Sequence, residues 1–349
     1  MKKSDFSGIG RARSLVPRPA APRAEEAVRR SAVGAGATRL ALVEATGPQA
    51  DLPGWAGDNV PELSAMLREN GGIMFRGFGV TGPDTFEKFA SVFVDDLFNE
   101  NGEHPRASVS GNVYTPVFYP PEERLLWHNE NSFNRRGPTR IWFCSVKSAE
   151  VGGETPVVDS REVFARLAPA VRDPFLEKGV MYVRNYGTGL GLHWRDVFRS
   201  ADPDTVSERC RADDLDHEWI GDRLRTRAVR PAAIRADDGR MSWFNQLQHW
   251  HVSCLSEETR AALESVFDPS DMPRNCYYGD GTVIPDEVVS EILAVYQDLE
   301  LALPWQTGDV MMVDNLAMAH GRNPFQGERK LLVAMGGMVD YSAGEVPTP

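Results

Sequence analysis

The spacing of apolar residues along this chain predicts many short strands and a smaller number of amphipathic helices. Apolar positions recur at helical spacing in residues 60–70, which run into Gly71-Gly72, a sequence typical of a helix end. Further helices are predicted at residues 84–98 and 286–301, and residues 161–179 predict a helix that is broken by proline. Apolar, β-branched or aromatic runs predict strands at residues 72–78, 139–149, 156–160, 180–187, 303–315 and 330–341.

An Asp-Gly pair at residues 238–239 predicts a hairpin turn, and residues 242–253 are expected to follow it as an aromatic strand. Strands and helices do not alternate regularly along the chain, as a parallel βαβ sheet would require. We therefore predict a mostly β fold of the α+β class, in which helices surround a β-sandwich or jelly-roll core.

Charge divides the 349-residue chain into a basic N-terminal segment and an acidic body. Residues 1–37 are rich in Arg, Ala, Pro and Gly and are predicted to be a flexible tail, while residues 38–349 are expected to form a single domain. The formal net charge of -12 argues against a nucleic-acid or anionic-membrane partner. No apolar run is long enough for a transmembrane helix or a secretory signal.

The cysteines are widely separated and none forms a C-x-x-C pair, at positions 144, 210, 254 and 276. This spacing predicts neither a zinc finger nor a disulfide scaffold. Together with the lack of a signal, it leads us to expect a cytoplasmic protein.

The segment RLLWHNENSF, residues 124–133, contains candidate metal ligands. If it is a strand, alternation places His128 and Glu130 on one face. His320 is the best third ligand, because it follows an apolar strand and precedes another. Two histidines and one carboxylate are the ligand set of non-haem Fe(II) oxygenases, and Arg329 would pair with a dicarboxylate co-substrate. Taken alone, the His-Glu pair is better explained by chance or as a hydrogen-bonded couple in a core, and it is the distant His320 followed by Arg329 that favours a metal site.

The order of several further motifs resembles the taurine dioxygenase and clavaminate synthase superfamily of Fe(II)/2-oxoglutarate dioxygenases. Within it the chain is most similar to the branch of syringomycin-type aspartyl hydroxylases, which occur with peptide-synthetase pathways. The motifs that carry the resemblance are LLWHNENSF, SAEVGGETPVVDSREV, KGVMYVRNYGTGLGLHWRDVF, WFNQLQHWHVS, PRNCYYGDGTVI, PWQTGDVMMVDN and AHGRNPFQGERKLLVAMG.

The resemblance implies a double-stranded β-helix with His128, Glu130 and His320 as ligands of Fe(II), and with 2-oxoglutarate and O2 as co-substrates. It places Thr155 against 2-oxoglutarate, and it places the 2-oxoglutarate cation at Arg329 or its neighbour Lys330. Strand alternation lets only one of those two face inward. We favour Arg329 because a planar guanidinium binds a carboxylate bidentately.

Two departures from relatives restrict the chemistry. Taurine-type enzymes hold the substrate sulfonate with a second arginine four residues after the first, and Val333 or Ala334 stands there. Sulfonate substrates are therefore disfavoured. Related halogenases have a small residue at the carboxylate position, and Glu130 fills it, which disfavours halogenation.

The branch implies hydroxylation of an unactivated C–H of an amino-acid-like substrate in natural-product (antibiotic) biosynthesis. The substrate is either free or tethered to an acyl or peptidyl carrier protein. The alternatives are desaturation, cyclisation or epoxidation of a free small molecule, a non-catalytic protein that keeps the fold, and a zinc hydrolase. The deaminase signature that also contains H-x-E requires P-C-x-x-C downstream, which this chain lacks.

Four residues are candidates for substrate contact. Asn129 and Asn131 flank the ligands, Arg184 lies where a strand meets a Gly-rich loop, and Asn245 is a candidate for pocket polarity. Turn chemistry and salt bridging are the structural alternatives. His249 and His251 form an H-x-H pair that we interpret as structural or pocket-lining residues on a strand.

Overall fold

The computed structural model describes residues 28–47, 51–98 and 108–341. Its strands are β1 Val28–Val33, β2 Leu40–Ala45, β3 Gly72–Arg76, β4 Ser108–Ser110, β5 Val113–Tyr114, β6 Leu125–His128, β7 Arg136–Lys147, β8 Val151–Gly152, β9 Val157–Asp159, β10 Val180–Tyr186, β11 Asp216–Ile220, β12 Arg223–Arg230, β13 Ala233–Arg235, β14 Met241–Trp243, β15 Arg274–Tyr278, β16 Val310–Asp314, β17 Met318–Arg322, β18 Phe325–Gln326 and β19 Lys330–Asp340. Its α-helices are α1 Leu52–Asp58, α2 Val60–Asn70, α3 Pro83–Ala90, α4 Ser160–Arg166, α5 Pro169–Lys178, α6 Trp194–Val197, α7 Pro203–Ala212, α8 Leu247–Trp250, α9 Glu257–Val266 and α10 Asp286–Leu299.

Two sheets form the core around which the helices pack. The larger has the order β1-β2-β3-β16-β7-β19-β5-β4, and the smaller has the order β6-β17-β9. One buried cluster joins them: Met311 and Val333 of the large sheet pack in it with Val157 and Met318 of the small one. This is the jelly-roll core, with surrounding helices, that the sequence predicts.

The large sheet is buried on both faces, which explains its continuous apolar runs. In β16, Met311 and Val313 face the small sheet, whereas Val310 and Met312 face a second cluster that α1, α2 and α3 cover. The small sheet is covered on its outer side by α4, α5, α8 and α10.

Most of the predicted elements are present. Helix α2 ends before Gly71, whose positive φ of 71° suits glycine at a helix end. The break between α4 and α5 lies next to Pro169, which begins α5. Helix α3 is shorter than predicted and ends at Ala90.

The prediction of a long aromatic strand over residues 242–253 is wrong. The hairpin forms between β13 and β14 as expected, but the strand ends at Trp243 and the chain turns into α8. His249 therefore lies on a helix, and His251 is the residue at its C-terminal end. The polar residues of this segment bind backbone of another element, described below, and this tertiary contact overrides the aromatic pattern.

The predicted tail is only partly described, because residues 1–27 lie outside the described residues. Its remaining part includes β1, which pairs along its full length with β2 at the edge of the large sheet. The folded body therefore extends at least to Val28. Among the described residues, no helix is long and apolar enough to cross a membrane.

Candidate metal centre

The two candidate histidine ligands face each other across a strand pair. His320 lies inside β17 and is directly opposite His128, the last residue of β6. Side chains at opposed positions of antiparallel strands project from the same face. The centroids of the two imidazole rings are accordingly 4.4 Å apart.

Glu130 does not lie on the strand, contrary to the sequence prediction. Strand β6 ends at His128, and Asn131 has a left-handed backbone with φ of 57°. The turn nevertheless returns the carboxylate to the histidines: Glu130 Oε2 is 3.8 Å from His128 Nε2. The ligand atoms of His128, Glu130 and His320 all lie within 4.8 Å of one another.

The hydrogen bond of His128 bears on whether this group is a core pair or a metal site. Its Nδ1 is 3.1 Å from the carbonyl oxygen of Leu126, which can only accept, so Nδ1 carries the proton. Nε2 points toward the Glu130 carboxylate, at a distance of 3.8 Å that is too long for a hydrogen bond. Two imidazoles and a carboxylate that converge in this way fit a divalent cation, and the donor set fits Fe(II).

Three side chains around α8 bind the backbone of β6 and of Asn129, the residue that follows it. Gln246 Nε2 donates to Asn129 O at 2.9 Å, and Gln248 donates to Trp127 O. His249 Nε2 donates to Leu126 O at 2.8 Å, and its ring centroid is 4.5 Å from that of His128.

Burial, followed by the neighbouring His128, lowers the pKa of His249 to about 3, so this ring is neutral at physiological pH. The role of this segment in holding the ligand strand was not predicted. The H-x-H motif singled out His249, but the sequence prediction placed this residue on a strand, whereas it lies on α8.

The candidate 2-oxoglutarate residues lie beside His320. The backbone of His320 is paired with Val157, and Thr155 is two residues before Val157. Thr155 is buried, and its hydroxyl accepts a hydrogen bond from Trp305 Nε1 at 3.2 Å. Arg329 Nε donates to the carbonyl of Gly153, in the same turn, at 2.9 Å.

The structure separates the two candidate cations by exposure. Lys330 is exposed, whereas the side chain of Arg329 packs against the turn at Gly153 and over the ring of Phe325. Burial, and then the charge of Arg322, lower the pKa of Arg329 to about 10, which leaves it cationic at neutral pH. This placement supports Arg329 over Lys330 as the co-substrate cation.

The four candidate substrate residues are placed differently. Asn129 and Asn245 are fully buried, and their amides donate to the carbonyls of Asn315 and Ala232. These bonds explain both residues structurally. Asn131 is buried and supplies the left-handed turn, so its contact with substrate stays a prediction.

Arg184, the fourth substrate candidate, lies beside aromatic side chains that pack near the turn after His128. Its guanidinium stands 5.2 Å from the ring centroid of Trp250, and Trp250 packs at 5.2 Å on Phe133. Arg274 is directly opposite Arg184 in the β10–β15 pair, so both side chains project from the same face. The charge of Arg274 also lowers the pKa of His249, as a smaller cause than burial.

Comparison with known proteins gives a consistent result. The taurine catabolism dioxygenase TauD, TfdA family matches residues 37–335. The dapdiamide synthesis protein DdaC of Enterobacter agglomerans is 35% identical over 315 residues, which cover 89% of this chain and 95% of that protein. A clavaminate synthase-like protein of Arabidopsis thaliana is 31% identical over 287 residues, 78% of this chain and 83% of its own.

The fold comparison agrees with the sequence relatives. A taurine dioxygenase from Burkholderia xenovorans superposes with a TM-score of 0.53 over 92% of this chain and 93% of its own, at 15% identity. The chain therefore belongs to the TauD/TfdA family, and it is a dioxygenase of the Fe(II)- and 2-oxoglutarate-dependent class, as its motifs predict.

Proposed function

We propose that His128, Glu130 and His320 hold the Fe(II) ion of this oxygenase, and that Arg329 and Thr155 hold 2-oxoglutarate. The observation that carries the proposal is the convergence of the three ligand atoms within 4.8 Å. When bound, Fe(II) and 2-oxoglutarate activate O2 for attack on an unactivated C–H bond. The chain's own residues bind and orient the groups: Arg329 pairs with a carboxylate, and Thr155 offers a hydroxyl beside it.

The proposed substrate is amino-acid-like, and the proposed reaction is hydroxylation in the biosynthesis of a specialised metabolite. The likeness to a dapdiamide synthesis protein supports this substrate class. Arg184 and Arg274, on one face of the β10–β15 pair, suit a carboxylate group of such a substrate. Desaturation, cyclisation and epoxidation would use the same site. Product mass separates gain of one oxygen from loss of two hydrogens, and NMR of the product distinguishes the reactions within each pair.

Anaerobic titration of the protein with Fe(II) and 2-oxoglutarate tests the site. We expect the weak visible metal-to-ligand charge-transfer band of a chelated 2-oxoglutarate. His128→Ala should abolish the band, while His217→Ala, which changes a histidine of β11 outside the triad, should leave it intact. An absent band in the wild-type protein, or an unchanged band in His128→Ala, rejects the assignment.

The substrate is identified by screening succinate release against free amino acids and against carrier-bound aminoacyl groups. We propose that the carrier-bound form is preferred and that the basic tail docks an acidic carrier protein. Deletion of residues 1–27 should then lower turnover of the carrier-bound substrate only. Equal effects on both forms would reject docking by the tail.

We also propose a cytoplasmic location. The four cysteines are free, which is consistent with a reducing compartment. Cell fractionation that recovers the protein outside the cytoplasm would contradict this location.

A further inference from the structure

Asn315 binds both peptide groups of the carboxylate ligand residue through one side-chain amide. Its Oδ1 accepts from the N–H of Glu130 at 2.7 Å, and its Nδ2 donates to the carbonyl of the same residue at 3.0 Å. Asn315 is fully buried. Water therefore competes little for these bonds, and their loss leaves buried polar groups unsatisfied.

The Asn315 amide makes the hydrogen bonds to Glu130 that a neighbouring strand would otherwise make. The ladder between β6 and β17 stops at His128, so Glu130 lies beyond it. A neighbouring strand would offer one donor and one acceptor, and the Asn315 amide offers the same two groups. The amide is itself anchored, because Nδ2 also donates to Pro138 O at 2.8 Å and the Asn315 N–H donates to Thr139 O at 2.9 Å.

The geometry makes the direction of the Glu130 side chain depend on this contact. Glu130 stands between the end of a strand and the left-handed residue Asn131, where no regular element fixes its backbone dihedrals. Asn129, the residue before Glu130, adds a bond in the opposite direction, because its side-chain Nδ2 donates to the backbone carbonyl of Asn315 at 2.7 Å. The bonds between residues 129–130 and Asn315 are thus reciprocal.

We propose that Asn315 is a positioning residue, which fixes the backbone of Glu130 so that its carboxylate stays within ligand distance of His128 and His320. The proposal rests on the proposed metal triad and goes beyond it. Asn315 is not one of the three proposed ligands, and it acts through Glu130.

Asn315→Asp tests the proposal with little change of shape. One carboxylate oxygen still accepts from the Glu130 N–H, but the other faces the carbonyls of Glu130 and Pro138, to which the amide donated. Titration of the metal-free protein with Co(II), followed by visible absorbance, reports affinity and ligand geometry without any need for turnover. We expect the dissociation constant for Co(II) to rise about 10- to 100-fold, the usual effect of losing a group that orients a metal ligand.

Asn185→Asp is the matched control. Asn185 is also buried, donates to the carbonyls of Ser270 and Met272 at 3.0 and 2.7 Å, and accepts from Arg225 at 2.8 Å. The same substitution should lower the thermal midpoint of the metal-free protein, while Co(II) affinity stays within about twofold of wild type. An equal loss of stability with wild-type Co(II) affinity in Asn315→Asp would overturn the positioning role.

Asn315→Ala adds no buried charge and replaces the aspartate variant if that variant does not fold.

A double-mutant cycle that combines the Asn315 substitution with Glu130→Ala provides the second test. In that background the Asn315 substitution should change Co(II) affinity by less than about twofold, because the group it positions is absent. A loss as large as in the wild-type background overturns the inference. If His128→Ala and Glu130→Ala leave Co(II) affinity unchanged, the triad itself is wrong, a result distinct from an unchanged Asn315 variant alone.

Discussion

Arg161 is a buried cation, and its removal tests how much buried ion pairs contribute to the stability of this fold. Its side chain is 1% exposed and pairs with Asp159 at 2.7 Å and Asp238 at 2.8 Å. It also donates to the carbonyls of Arg68 and Glu69 near the end of α2. Through Asp159, which is paired with Met318 of β17, it supports the strand that carries His320.

The change to test is Arg161→Met, which keeps most of the apolar stem and removes the charge. The substitution leaves Asp159, whose side chain is only 6% exposed, without its cation. Breaking a buried ion pair from one side costs about 3–5 kcal/mol, because an uncompensated charge remains. Since domains are stable by only about 5–15 kcal/mol, this would be a large fraction of the total.

Urea unfolding with matched m-values measures the loss. Arg240→Met is the control, because Arg240 also binds Asp238, at 2.8 Å, but its side chain is 48% exposed. Removing this exposed pair should cost at most about 1 kcal/mol. The double variant Arg161→Met/Asp159→Asn should recover part of the loss, because no unpaired carboxylate remains at position 159. A cost for Arg161→Met no larger than that for Arg240→Met would refute the reasoning.

Three further predictions concern the co-substrate, pH and the ligand strand. Arg329→Gln should raise the KM for 2-oxoglutarate by about tenfold to hundredfold, as expected for one bond to a charged group, and Lys330→Gln, at an exposed site, should change it by less than about twofold. Burial alone would raise the pKa of Asp238, but hydrogen bonds from Arg240 and the charge of Arg161 outweigh it and lower that pKa. This carboxylate therefore stabilises the fold above its ordinary pKa and loses that contribution as pH falls through the acid range, so Asp238→Asn should flatten the acid limb of a stability-versus-pH curve. His249→Phe keeps a ring but loses the donor to the Leu126 carbonyl, and it should lower unfolding free energy by about 1–3 kcal/mol in urea titrations; an unchanged midpoint would show that this bond does not support β6.

The spacing of apolar residues predicted helices and strands correctly where those residues are buried in the folded protein. Helix α2, the proline break before α5 and the apolar strand β16 follow from spacing that burial then satisfies. The same reasoning failed at α8. There, Gln248 binds a backbone carbonyl of β6 and Gln246 binds the carbonyl of Asn129 just after it, and these contacts join segments far apart in the chain. A pattern within one segment contains no information about such a partner.

The sequence alone supplied the candidate ligand types, because side-chain chemistry is read directly from it, and the order of its motifs indicated the class of enzyme through their resemblance to a known family. It named His128, Glu130 and His320, but it placed Glu130 on a strand. Only the tertiary structure brought His320 opposite His128 and turned Glu130 back toward both, through the left-handed Asn131 and the buried amide of Asn315. The physical reason is that a metal site needs three atoms within a few ångströms, and strand pairing with buried hydrogen bonds sets those positions across the whole chain.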